Sequence, residues 1–112
     1  MEENFEVRYA ASPREVKGMD TNELRDEFLV QDLITANNVK LVYSHYDRYI
    51  LGGAMPVDKP LELESIDPLK SSFFLERREL GAINIGGPGT ISVDGEVFDV
   101  DFKEALYVGK GA

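Results

Sequence analysis

An Asp-Gly pair set between two alternating apolar runs leaves a backbone little choice, and "TISVDGEVFDV", residues 90–100, is such a stretch. A two-residue hairpin turn needs positive φ at its centre, which Asp94-Gly95 supplies at low cost. Pairing about that turn sets Ile91 opposite Phe98 and Val93 opposite Glu96. Ile91, Val93, Phe98 and Val100 then line one apolar face, with Thr90, Ser92 and Asp99 on the other. The chain is thus committed locally to antiparallel sheet.

Other segments agree. "NVKLVYSHY" and "RYILGGAM" are rich in β-branched and aromatic residues and read as strands, as does "FLVQDLI" before the turn-prone Ala36-Asn37-Asn38. Gly52-Gly53 suggests a bulge or a close backbone approach. Leu61 and Leu63 alternate as an edge strand among prolines, and "ALYV" follows the hairpin. Helix punctuation is confined to the first third. Ser12-Pro13-Arg14-Glu15 and Asp20-Thr21-Asn22-Glu23 each place a capping residue three positions before a glutamate. The second helix runs to about Glu27, with Leu24 and Phe28 spaced to face a core. The expected fold is mainly β, a β-sandwich or small barrel in residues 29–112 with a short helical N-terminal arm in 1–28, all in a single domain.

Composition excludes several functions. Asp and Glu number 21 against 12 Lys and Arg, a formal charge of −9, which opposes binding to nucleic acid or an anionic membrane. Cysteine is absent, so disulfides, thiolate nucleophiles and cysteine-held zinc are excluded. The start "MEENFEVRYA" is acidic where an export signal is basic, and no apolar run reaches membrane-spanning length. A cytoplasmic location is expected.

Candidate chemistry centres on "FFLERRELGAINIGGPG", residues 73–89. As one extended strand over 73–85, one face carries Arg77 with Glu79 and the other Glu76 with Arg78. Glu76, Arg77, Arg78 and Glu79 then form either a self-paired structural ion network or an arginine fork for a substrate carboxylate. His45 in "YSHYDR" is the chain's only histidine; on a strand it shares a face with Tyr43 and Asp47, so it is either a hydrogen-bonded sheet residue or a proton shuttle. Zinc needs at least three protein ligands, and one histidine with scattered carboxylates gives no such spacing. "GGPG", residues 86–89, precedes a strand rather than a helix, so it reads as a turn and not a phosphate loop.

Longer strings carry a resemblance. "GPGTISVDGEVFDVDFKEALYVGKGA" resembles the second half of a cupin barrel, ending before the metal-binding histidine of that pattern. "LRDEFLV", "YSHYDRYILGGAMP", "FFLERRELGAINIGGPGTISVDG" and "ALYVGKGA" resemble the N-terminal half of the 5-keto-4-deoxyuronate isomerase family. The resemblance spans residues 12–112. It implies a cupin-like jelly roll, one half of a much longer two-cupin protein that assembles as hexamers. The family isomerises an unsaturated-uronate product of pectin breakdown from an aldose to a ketose form.

The family's zinc is held in its C-terminal half, where an H-T-H-E-R-R string supplies histidines. Laid on that string, "FFLERR" sets Phe73 and Leu75 where ligand histidines stand, with Glu76, Arg77 and Arg78 matching the E-R-R. The resemblance therefore implies a half without metal ligands or catalytic residues, its zinc bound outside this stretch. Arg77, Arg78 and His45 remain as substrate-contact candidates. The competing readings are a non-catalytic β-sandwich oligomerisation module and a sugar-acid binding domain.

Overall fold

The computed structural model describes residues 5–112, so the first four residues of the expected arm lie outside the described part. Strands predominate: β1 (Phe5–Arg8), β2 (Val39–Ser44), β3 (Ile50–Ala54), β4 (Leu80–Ile83), β5 (Gly89–Val93), β6 (Glu96–Val100) and β7 (Ala105–Val108). The helices are short, α1 (Pro13–Val16) and α2 (Thr21–Phe28). No described helix is long and apolar enough to cross a membrane. The mainly-β expectation with a few short helices near the start holds. Contacts gather into two compact units, one extending through Leu63 and the other Glu64–Ala112.

In the first unit β2 is the central strand. β1 lies parallel to it, with Phe5 beside Leu41, and β3 runs antiparallel on its other side. Leu41, Val42 and Tyr43 are buried there. Removing the Leu41 and Val42 side chains from water contributes about 1.5–3 kcal/mol apiece. The glycine pair serves as a close approach: a Cβ on Gly53 would meet the Leu33 carbonyl oxygen at 2.6 Å, and one on Gly52 would meet Leu41 Cδ2 at 2.7 Å. Both helices begin as expected. Ser12 Oγ accepts from Glu15 N–H at 3.2 Å and Asp20 Oδ1 from Glu23 N–H at 2.9 Å, each with the reciprocal glutamate bond of a capping box.

Three expectations for this unit fail. "FLVQDLI" is not a strand, because Phe28 ends α2 and Asp32 takes φ 61, which breaks an extended run. β1, by contrast, lies where only a helical arm was expected. Leu24 and Phe28 are exposed rather than core residues, although Phe28 leans on the Tyr46 ring at 5.7 Å between centroids.

The second unit holds two two-stranded ribbons. β5 and β6 make the hairpin in the register read from the sequence, Ile91 with Phe98 and Val93 with Glu96. Asp94 and Gly95 adopt φ 50 and 85. β4 pairs antiparallel with β7, Leu80 opposite Val108. Phe74, Leu75, Val100 and Val108 form the buried cluster. The single long strand expected over 73–85 is not formed: only Leu80–Ile83 is strand, and residues 73–79 turn on themselves, Glu76 N–H donating to the Phe73 carbonyl at 3.2 Å. Leu61 and Leu63 lie in irregular chain rather than an edge strand.

Candidate functional site

The turn at 73–79 decides what the charged quartet can do. Because the segment is not extended, the two-residue spacing of Arg77 with Glu79 and of Glu76 with Arg78 no longer defines faces. Glu76 pairs with its neighbour instead, Arg77 Nη2 lying 3.2 Å from Glu76 Oε2. The other Glu76 oxygen accepts from Ser72 N–H at 3.2 Å. The Arg77 guanidinium also donates to the Leu69 and Lys70 carbonyls at 3.4 Å, covering the end of the 3-10 turn Asp67–Leu69. Those carbonyls are orphans of a helical end, and a guanidinium is suited to them. Arg78 is half-buried.

Glu79 belongs to a different contact. Its Oε2 accepts from the Tyr107 phenol at 2.6 Å across β4 and β7. That bond, with the nearby carboxylate charge, raises the phenol pKa above its usual value of 10.0, since ionising Tyr107 would set two anions face to face.

Beside Arg77 is an open depression of about 470 Å³, lined by Ser65, Asp67, Lys70, Ser71, Glu76 and Arg77 among others. Lys70 Nζ is already 3.0 Å from Asp67 Oδ1, and the Ser65 and Ser71 hydroxyls share a 2.8 Å bond. The wall is polar, charge-balanced and bonded to itself. It can offer hydroxyls and a guanidinium edge to a sugar acid, but only in competition with its own partners. Lys70 and the serines were not foreseeable as neighbours of Arg77, because the left-handed turn at Lys70, φ 48, brings them round.

His45 lies in the first unit, just past β2, and is exposed. Its Nδ1 is 2.9 Å from the Arg8 carbonyl, which can only accept, so Nδ1 carries the hydrogen and Nε2 of the neutral ring keeps a lone pair. Tyr9 stacks on the ring at 4.5 Å between centroids, and Tyr43 meets it edge-on at 5.3 Å. The shared side with Tyr43 is therefore real, whereas Nδ1 turns to Arg8 and not to Asp47. Nearby, the Tyr46 hydroxyl accepts from Ala11 N–H at 2.8 Å and donates to Glu27 at 3.2 Å. Tyr9 was missed because it is far from His45 in the sequence and β1 brings the two together.

Among the described residues no group of three or more His, Cys, Asp or Glu is arranged to hold a metal ion. The two positions set by resemblance over ligand histidines carry no donor. Leu75 is 6% exposed and its carbonyl takes Gly111 N–H at 2.7 Å; Phe73 is 44% exposed. These residues do not fit a zinc ion.

No family model matches the chain. Curated proteins do, among them ketol-isomerases acting, by name, on a hexosulose-uronate. The 4-deoxy-L-threo-5-hexosulose-uronate ketol-isomerase of Formosa agariphila is 57% identical over 111 residues, 99% of this chain and 40% of that protein. The protein called ketol-isomerase 1 in Bacteroides thetaiotaomicron is 51% identical over the same shares, 99% and 40%. That of Lachnoclostridium phytofermentans is 52% identical over 96% of this chain and 39% of itself. The chain is a homologue of these isomerases along almost all its residues, and spans about two-fifths of their length.

Proposed function

We propose that this chain is the non-catalytic, cupin-like portion of a uronate ketol-isomerase. The observation that carries the reading is the 57% identity to the Formosa agariphila protein over 99% of the chain. Ketol isomerisation moves a proton between adjacent carbons while a carbonyl is polarised. A positioned base contributes roughly 10² to 10⁴-fold to such a step, and a Lewis-acid metal stabilises the developing charge. This portion supplies neither in usable form. His45 is an exposed ring held by the Arg8 carbonyl and stacked on Tyr9, and Phe73 and Leu75 are apolar where, in this reading, a metal-binding counterpart has histidines. Zinc, in this reading, is held elsewhere in the longer protein, which works as an oligomer in the cytoplasm.

The cupin-like jelly roll is part of the same proposal. Its support is the V-D-G hairpin followed by the strand β7 and a glycine turn, Gly109 to Gly111. The quartet is then scaffold: Glu76 and Arg77 tie a turn together and Glu79 braces Tyr107. Weak uronate contact at Arg77 or Arg78 is the lesser reading, favoured only by the hydroxyl-lined depression beside Arg77.

The test is a chimera in which this chain replaces the matched stretch of the Formosa agariphila protein. The chimera is expected to isomerise the hexosulose-uronate, while this chain alone with zinc shows no turnover. A folded but inert chimera contradicts the family role, and turnover by the chain alone contradicts the non-catalytic one. Calorimetry of the chain with galacturonate separates the lesser reading, for which saturable heat lost in Arg77→Ala is required.

A further inference from the structure

The two ribbons of the second unit differ in what they show to water. On the β5–β6 ribbon the face opposite Ile91, Phe98 and Val100 carries Thr90, Ser92, Val97 and Asp99, the apolar-in, polar-out alternation of a half-wet antiparallel sheet. On the β4–β7 ribbon no such alternation exists. Leu80, Ala82, Leu106 and Val108 line the inner face, and Gly81, Ile83, Ala105 and Tyr107 the outer. Both faces are apolar. Strands of that kind are the ones sheets bury on both sides. Here the outer face lies open, with Ile83 at 70% exposure, Tyr107 at 67% and nearby Ile85 at 68%. A two-stranded ribbon is also marginal in water without something packed against it.

Tyr107 is already arranged as an anchor. Glu79 fixes its hydroxyl at 2.6 Å, so its ring can be covered without stranding its polar tip or losing much side-chain freedom.

We infer that the outer face of the β4–β7 ribbon, formed by Ile83, Ala105 and Tyr107 with Ile85 beside it, is a contact face covered by the part of the longer isomerase polypeptide that this chain does not span. The inference rests on the family reading above. More than half of each relative's length lies outside the matched stretch, so there is ample chain to supply a cover. A second copy of this chain is the other occupant to be tested, and a formal charge of −9 per copy opposes self-association.

Hydroxyl-radical footprinting reads this directly, side chain by side chain. It is applied to this chain alone and to the Formosa agariphila chimera. Oxidation of Ile83, Ile85 and Tyr107 is expected to slow at least fivefold in the chimera, while Val97 on the alternating ribbon keeps its rate. Unchanged rates at the first three positions overturn the inference. So does a dimer of the chain alone, seen by sedimentation, that already protects them, since a second copy is then the cover. Should the chimera misfold, the aligned positions of the intact Formosa agariphila protein give the same reading, with free oxidation there as the contrary result. Footprinting needs no turnover, so an active chimera without protection sinks this inference alone, and an inert one with protection sinks only the functional reading.

Discussion

Tyr107 and Glu79 form the contact whose chemistry is most exposed to a change of pH. The phenol pKa is raised above 10.0, chiefly by the hydrogen bond it donates to the carboxylate. A raised value means the bond's contribution is complete below the unfolded value and is lost as pH climbs through the folded one. Spectroscopic titration of the chain's five tyrosines is therefore expected to show a late-ionising member that disappears in Tyr107→Phe. A titration unchanged by that substitution contradicts the assignment. A second residue-scale prediction concerns Gly53, where a Cβ would stand 2.6 Å from the Leu33 carbonyl oxygen. Gly53→Ala is expected to cost about 1–3 kcal/mol in urea unfolding, the usual penalty of forcing atoms into a filled space. Gly81→Ala, with nothing within 4 Å of its notional Cβ, should stay within about 0.5 kcal/mol. The close approach at Gly53 was legible as a glycine pair in a strand. The roles of Glu76 and Arg77 were not, because they depend on a turn that the run "FFLERREL" conceals.

Elements were readable in proportion to how local their causes are. The Asp94-Gly95 hairpin and both capping boxes are specified within a few residues, and they formed as read. Gly95→Ala, at φ 85, is expected to destabilise the hairpin by about 1–2 kcal/mol, the steric cost of a side chain in that region. Amide exchange of β5 and β6 measures it, and exchange no faster than in the parent chain contradicts the turn assignment. Short apolar runs without turn chemistry were ambiguous. "FLVQDLI" carries the composition of a strand, but Asp32 in the left-handed region interrupts it. β1 was invisible because its partner, β2, is distant in sequence and parallel, with no tight turn to announce the pairing. Residues 73–79 bury Phe74 and Leu75 as successive neighbours, which an extended strand with alternating faces does not allow on one side.

At the scale of the whole chain, the buried set is modest. No described side chain is less than 2% exposed, and the burial that exists gathers around β2 in one unit and around Phe74, Leu75, Val100 and Val108 in the other. Such a chain has little apolar burial to set against the conformational entropy lost on folding. The thermal midpoint of the chain alone is accordingly expected to lie below that of the same stretch within the chimera, and equal midpoints contradict a missing cover. The acidic balance and absence of cysteine limited the function classes, but the proposed place in an isomerase rests on homology along nearly all the residues. In the proposed reading, Phe73 and Leu75 stand where a metal-holding domain has histidines. Elemental analysis of the purified chain after exhaustive dialysis from zinc tests that most directly. Zinc far below one ion per chain is expected, and one ion retained per chain contradicts a half without metal ligands.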